Sequence, residues 1–246
     1  MTFPRMAVSI ALVLCSAAGT VTRGQNPLPA VDPAKPPAAP ARPTVSFDFE
    51  RKGLPVPKYH LTIHGDGATV YEGDEVEVTN KYGTPVTLPP HPFQSPVSIS
   101  PATSGHIFEL ARKLNHFNVA CASKAKNIAD SGTKTLTYTG PDGTGACTYN
   151  YSENKDVEAL TEIIQGITET MDQGRKLDHL HRYDRLGLDA AITFLAQEVT
   201  DGHALELGTI AASLHSIAAD GEVMERVRTR ANKLLTLVPV GSNSHP

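Results

Sequence analysis

The stretch from Lys58 to Gly73 constrains the fold more than any other part of this chain. It reads KYHLTIHGDGATVYEG, with two arms of alternating side chains around a Gly-Asp-Gly turn. Alternating arms on either side of a glycine-containing turn are typical of a β-hairpin. A second hairpin of this design is predicted at residues 134–151, around the turn Gly140–Gly143. The two hairpins together predict a small antiparallel sheet.

The segments around the hairpins supply a further strand and several helices. Residues 44–50 alternate as a strand does, whereas the proline-rich residues 81–101 predict an irregular crossing loop. Ser104 is the expected N-cap of a helix whose apolar stripe runs to Phe117. Asn154 is the expected cap of the next helix, and Gly174 its expected end.

From Arg175 onward every segment has an apolar stripe at helical spacing, with short glycine-containing joints. The fold class predicted is therefore α+β. It combines a small antiparallel sheet, built from two β-hairpins packed with helices, with a C-terminal α-helical region. The two striped helices joined at Asp220-Gly221 resemble one unit of a helical-hairpin repeat, which often forms a protein-binding groove. The alternative is that they simply pack on the sheet or on one another.

The N-terminal residues have the pattern of a secretory signal peptide. Arg5 supplies a positive charge, residues 6–16 are apolar, and small residues follow from Ser16 to Gly19. The apolar run is too short to cross a bilayer. Cleavage is expected after Ala18, or alternatively after Gly24. A lipoprotein would carry its lipid on Cys15, but the preceding leucine is bulky for such a site.

Composition and pattern divide the chain into five predicted segments. Residues 1–24 are the predicted leader, and 25–43 form a Pro/Ala-rich disordered linker that favours extended structure. The predicted α+β domain covers 44–173, the helical region 174–240, and a frayed tail 241–246. No transmembrane segment is expected in the mature chain, and the expected location is periplasmic or extracellular.

Two cysteines remain once the leader is removed, Cys121 and Cys147. In an oxidising compartment the simplest use of two cysteines is a disulfide. The alternative roles, a nucleophilic thiol or a metal ligand, lack support because neither residue lies in a CxxC motif or beside a histidine. The sequence therefore predicts a Cys121–Cys147 bond.

The overall charge and the motifs exclude several functional classes. A formal charge of −4 suggests neither nucleic acid nor an anionic membrane as a partner. The chain has no tryptophan, which argues against a surface that stacks on carbohydrates. It contains no GxSxG, HExxH, Walker or GxGxxG motif. No catalytic or cofactor-binding residue and no cofactor are therefore predicted, although missing motifs alone do not exclude an enzyme.

The densest group of potential metal ligands is His179, His181 and Asp184. Helical residues two positions apart diverge by about 200°, so the two histidines would converge on one ion only at a bend. A metal site would also need a third ligand such as His203 or His215. Ordinary pairs on a helix surface are the alternative interpretation.

Two other groups of polar residues lie on the first hairpin. The side chains of His60 and His64 point from one strand face but lie about 13 Å apart, so a shared metal is not expected. The carboxylates at positions 72, 74, 75 and 77 lack the spacing of a Ca²⁺ loop. Both groups are interpreted as solvated, and the carboxylates as belonging to an edge strand.

The order strand, hairpin, helix, hairpin, helix over residues 44–173 resembles a bacterial secreted domain family of unknown function. The matching motif residues are Phe49, Arg51, Pro57, Tyr59, Asp66, Gly67, Tyr71 and Gly73. Residues 53–56 (GLPV) stand where that family usually has paired cysteines. The helical residues 177–237 are similar to a tail of other uncharacterised secreted bacterial proteins. The resemblance implies export and a fold, but no activity.

These patterns predict an exported, non-catalytic binding or structural module of the cell envelope, with an envelope protein as a possible partner of the helical tail. The alternative is an exported metal-dependent hydrolase that uses the region of His179, His181 and Asp184. Metal analysis of the purified protein distinguishes the two.

Overall fold

The computed structural model describes residues 42–81 and 84–238. It confirms the α+β class. The strands are β1 (Thr44–Glu50), β2 (Lys58–His64), β3 (Ala68–Glu75), β4 (Val78–Lys81), β5 (Thr84–Thr87), β6 (His91–Ser98), β7 (Thr133–Gly140) and β8 (Gly143–Tyr149). The helices are α1 (Pro101–Lys113), α2 (Lys155–Tyr183), α3 (Leu188–Asp201), α4 (Ala211–Ala219) and α5 (Glu225–Leu235). The predicted leader, nearly all of the predicted linker and the last eight residues lie outside the described part.

Six strands form one antiparallel sheet in the order β6-β3-β2-β1-β7-β8. Both predicted hairpins belong to this sheet, and β1 lies between them. Phe47 of β1 is opposite Leu61 on one side and Leu136 on the other. The alternation of β1 buries Val45, Phe47 and Phe49 on one face, where the helices pack. The first strand is therefore the centre of the sheet.

The predicted crossing loop at 81–101 is wrong, because residues 91–98 form the edge strand β6 beside β3. Pro92 and Pro96 are four positions apart, so the N–H groups that they lack fall on the same side of the strand. An edge strand needs donors on one side only, and therefore accepts proline. The strand β6 also covers β3, so the prediction that the carboxylates of β3 mark a sheet edge is wrong as well.

Helix α1 begins earlier and ends earlier than its sequence pattern predicts. Its N-cap is Ser100, whose Oγ accepts a hydrogen bond from the Thr103 N–H at 3.2 Å, and a proline follows at the first helical position. Ser104, the predicted cap, is buried inside the helix. The helix ends at Lys113, and Phe117 belongs to a short turn with positive φ angles.

Helix α2 has 29 residues and passes through Gly174, so the predicted helix end at this glycine is wrong. A Cβ atom at Gly174 would overlap the Cγ2 atom of Ile210. The glycine is explained by this close approach of a neighbouring segment rather than by a helix end.

The described residues have two hydrophobic cores, and α2 contributes to both. The first core lies between the sheet, α1 and the N-terminal half of α2, where Met171 is the last contributor. The second lies among the C-terminal half of α2, from Leu177, and the helices α3, α4 and α5. The predicted division at 173/174 therefore falls inside one continuous helix, where the first core gives way to the second.

Cys121 and Cys147 lie at disulfide distance, with 1.98 Å between their sulfur atoms and 5.9 Å between their Cα atoms. The pair joins the segment after α1 to β8. Among the described residues no helix combines the length and the apolar character needed to cross a membrane.

Candidate functional site

A cleft of about 920 Å³ opens between one end of the sheet and one face of α2. We call it the α2 cleft. Its sheet side consists of the end of β1, the loop 51–57, the start of β2, the residues around the end of β3 and the start of β6. Its helix side runs from Gln165 to Leu180. Its volume is in the range of ligand-binding sites in proteins.

The helix side of the α2 cleft is a polar stripe. Five of its residues recur at steps of four and three positions, which places them on one face of α2. They are Gln165, Glu169, Asp172, Lys176 and His179. At a rise of 1.5 Å per residue, the span from position 165 to position 180 is about 22 Å long. The cleft is therefore elongated along the helix.

The sheet side of the α2 cleft is mainly apolar. The rings of Phe49 and Tyr59 stack with 4.9 Å between their centroids, and Leu54 and Val56 lie beside them. Phe49 is only 5% exposed and Tyr59 only 8%. The aromatic rings therefore form a supporting wall, and they do not offer open faces on which a planar ligand could stack.

Asp172 is a partly buried ionisable group of the cleft with a shifted pKa. Its Oδ1 atom accepts hydrogen bonds from the Tyr71 hydroxyl and from Nη2 of Arg175, both at 2.9 Å. Burial nevertheless raises the pKa of Asp172 to about 6, because the loss of hydration outweighs the attraction of Arg175 and the hydrogen bond from Tyr71. Burial, with the nearby Asp172 charge, also raises the pKa of Tyr71 well above its usual range.

Arg175 connects α2 to the edge of the sheet. Its guanidinium carbon lies 3.4 Å from the centroid of the Phe93 ring, which is a close cation–π contact. The nearest oxygen of Glu75 is 3.9 Å from Nη2. Arg175 is thus held between an aromatic face of β6 and two carboxylates, and among the described residues its buried Nε and Nη1 atoms have no hydrogen-bond partner.

Carboxylates outnumber basic side chains along the α2 cleft. The four acidic residues are Glu75, Glu77, Glu169 and Asp172, and the two basic residues are Arg175 and Lys176. The excess is therefore two negative charges, 4 − 2, with the histidines counted as neutral. Within residues 42–81 and 84–238, the one hydrogen bond of the Glu169 side chain is with the neutral amide of Gln173, at 2.8 Å, and this contact leaves its charge uncompensated.

The three candidate metal ligands of the sequence point to different places. The ring of His179 lies at the cleft and packs against the ring of Tyr183, with 5.0 Å between the ring centroids. Nε2 of His181 is 2.9 Å from Oδ2 of Asp220, which follows α4. Asp184 accepts a hydrogen bond from the N–H of Gly187 at 3.2 Å. No group of three or more His, Cys, Asp or Glu side chains suited to a metal occurs in the described ranges.

The two histidines of the first hairpin bond to side chains of their own sheet. Nδ1 of His60 lies 2.8 Å from Oδ1 of Asp48, and Nδ1 of His64 lies 3.2 Å from the Thr44 hydroxyl. Both rings are half-buried on the sheet face opposite the helices. They do not share a site, in agreement with their spacing along the strand.

The sequence patterns did not predict the α2 cleft. Asp172 bonds to Tyr71, which lies 101 positions earlier in the chain. Arg175 packs on Phe93, which is also distant in sequence. The available signal was local: an acidic residue is followed three positions later by a basic residue, in a helix that carries several other charged residues. Such a pair is also common on helix surfaces, and so it does not identify a site.

Comparison with known proteins gives no relative: no family model, no curated protein and no solved structure matches this chain. The resemblance to a secreted bacterial domain family therefore stays a prediction, and the functional argument rests on the chain itself.

Proposed function

We propose that this protein is an exported, non-catalytic binding module of the cell envelope, and that the α2 cleft is its binding site. The observation that carries the proposal is the cleft itself, with an apolar wall on one side and a polar stripe on the other. A largely apolar concavity with a few convergent polar groups is the usual form of a binding site.

Export is supported by the N-terminal pattern of Arg5, the apolar residues 6–16 and the small residues that follow. The cysteine pair supports it independently, because structural disulfides persist in oxidising compartments and are rare in the cytosol. Cys121 and Cys147, at disulfide distance, suit such a compartment.

A binding role suits the polar groups of the cleft better than a catalytic one. Asp172 shares one oxygen between Tyr71 and Arg175. It is therefore engaged with groups of the protein itself. The alternative, a metal-dependent hydrolase that uses His179, His181 and Asp184, receives less support because these three side chains diverge. His181 in particular is committed to Asp220 at 2.9 Å.

The test is to fill the cleft and measure ligand binding. Glu169→Trp places a bulky ring on the helix side of the cleft. Glu162→Trp is the matched control, because Glu162 is an exposed glutamate of α2 outside the cleft. A library of small molecules and short peptides is screened by NMR chemical-shift changes on the isotope-labelled protein.

The proposal expects ligands that shift the amide signals of cleft residues, with binding that Glu169→Trp abolishes and Glu162→Trp retains. Unchanged binding in Glu169→Trp, or a screen in which no compound affects the cleft, would contradict it. Thermal unfolding of both variants establishes that each is folded.

A further inference from the structure

We infer that the ligand of the α2 cleft is an extended peptide segment that carries about two basic side chains. The inference rests on the proposed function and specifies its ligand class. It follows from three properties of the cleft: its length, its apolar wall and its excess of carboxylates.

The length of the cleft favours an extended chain. The helix side is about 22 Å long, and an extended peptide advances about 3.3 Å per residue. Six or seven residues therefore span the cleft from Gln165 to Leu180. A compact small molecule would contact only part of this length.

The apolar wall favours a peptide over a sugar or a polyamine. Leu54, Pro55 and Val76 line the cleft and are at least partly exposed. These groups provide contacts for aliphatic side chains, which a polyamine lacks. Oligosaccharides bind by stacking on exposed aromatic faces, and Phe49 and Tyr59 are less than 10% exposed.

The charges favour basic side chains on the peptide. Asp172 is paired with Arg175, and Glu75 lies within 3.9 Å of the same guanidinium. Among the described residues, Glu169 and Glu77 form no ion pair, and they lie on opposite sides of the cleft. Lys176 and Arg175 are both included in the net charge of the cleft. The excess of two negative charges is neutralised by two basic residues, which gives electrostatic complementarity.

The probe is a heptapeptide, acetyl-Ala-Lys-Val-Leu-Lys-Val-Ala-amide, with a twin in which both lysines are replaced by glutamate. Spermidine represents a cation without apolar side chains. Binding is measured by NMR titration and calorimetry at low ionic strength, where charge interactions are least screened. The double variant Glu77→Gln/Glu169→Gln removes the two available charges with little change in shape, and Glu162→Gln is its control.

The lysine peptide is expected to shift cleft signals and to bind at least about 10-fold more tightly than its glutamate twin. The double variant should weaken it about 3- to 10-fold, as expected for two partly exposed charge pairs. Glu162→Gln should leave the affinity unchanged, and added salt should reduce the difference between the variants.

Three results would overturn the inference. They are equal or tighter binding of the glutamate twin, binding of spermidine without binding of the lysine peptide, and binding of a non-peptide compound alone at the cleft. The last result would retain the proposed function and reject only the ligand class. If neither peptides nor other compounds affect the cleft, both proposals fail.

Discussion

The carboxylate of Glu206 caps the N-terminus of α1, where its Oε2 atom accepts a hydrogen bond from the Ser100 N–H at 2.9 Å. Its Oε1 atom accepts hydrogen bonds from the Ser100 hydroxyl, at 2.7 Å, and from the Thr103 hydroxyl. An anion at this position also interacts favourably with the helix dipole. A residue that lies between α3 and α4 thus fixes the start of the helix that packs against the sheet.

Replacing Glu206 should destabilise the protein through the loss of this cap. We expect Glu206→Ala to lower the free energy of unfolding by about 1–2 kcal/mol. Glu206 has a left-handed backbone with φ of 57°, which costs other residues more than it costs glycine. Glu206→Gly should therefore be less harmful than Glu206→Ala by about 1 kcal/mol.

Urea unfolding at neutral pH measures these differences, with Glu162→Ala as a control that removes an exposed glutamate from α2. The interpretation fails if Glu206→Ala and the control have the same midpoint. If Glu206→Gly is no more stable than Glu206→Ala, then the left-handed backbone at position 206 does not contribute to the difference.

Asp172 should make the stability of the protein depend on pH. Its pKa is raised from 3.8 to about 6 in the folded state, so folding favours its protonated form. The corresponding stabilisation is present below about pH 4 and is lost as the pH rises through 6. With 29% of the side chain still exposed, we expect a decrease on the order of 1–2 kcal/mol between pH 4 and pH 7.

The measurement is the free energy of unfolding at several pH values for the wild-type chain, Asp172→Asn and Asp178→Asn. Asp172→Asn should remove the contribution of Asp172 to the decrease in the free energy of unfolding between pH 4 and pH 7. The variant also loses the ion pair with Arg175, so its absolute free energy of unfolding will differ from that of the wild-type chain. Asp178 lies on the same helix outside the α2 cleft, so its variant should keep the wild-type slope. A wild-type slope in Asp172→Asn would refute the assignment.

The two hairpins could be predicted because the turns that define them are local in sequence. Gly65-Asp66-Gly67 and Gly140–Gly143 fix their turns without distant contacts. The cysteine pairing could be predicted because the expected leader cleavage leaves only two cysteines. The hairpin turns and the cysteine pairing can therefore be predicted from residue types and spacing, without knowledge of tertiary contacts.

The predictions that were wrong concern features that depend on contacts between residues distant in sequence. Pro92 and Pro96 predict a loop from the sequence alone, but both lie on the edge strand β6, where proline is tolerated. Gly174 indicates a helix end until Ile210 is found against it. The cleft required Asp172 and Arg175 to meet Tyr71 and Phe93, and no local pattern specifies which distant residues a helix face will contact.

Gly174 and Gly105 offer a direct test of this distinction between local and tertiary causes. Both glycines lie inside helices, but a Cβ at Gly174 would overlap Ile210, whereas a Cβ at Gly105 would meet no described atom within 4 Å. Gly105→Ala should stabilise the protein by about 0.5–1 kcal/mol through helix propensity. Gly174→Ala should destabilise it by about 1–3 kcal/mol through overpacking.

Thermal and urea unfolding of the two alanine variants measures the difference. If Gly174→Ala stabilises the protein as much as Gly105→Ala does, then Ile210 does not approach α2 closely. The variants Ile210→Ala and Gly174→Ala/Ile210→Ala test the contact itself, because alanine at 210 lacks the Cγ2 atom that a Cβ at 174 would overlap. Gly174→Ala should therefore cost less in the Ile210→Ala background than in the wild-type chain.

The Cys121–Cys147 bond should contribute strongly to stability, because it closes a loop across 26 positions. In the chain-entropy model, a loop of this size is worth about 3–4 kcal/mol. Cys121→Ser/Cys147→Ser should lose about this amount, and a reducing agent should destabilise the wild-type chain but not the double variant. Thiol titration of the denatured, unreduced protein provides the direct check: two free thiols in protein recovered from an oxidising compartment would disprove the bond.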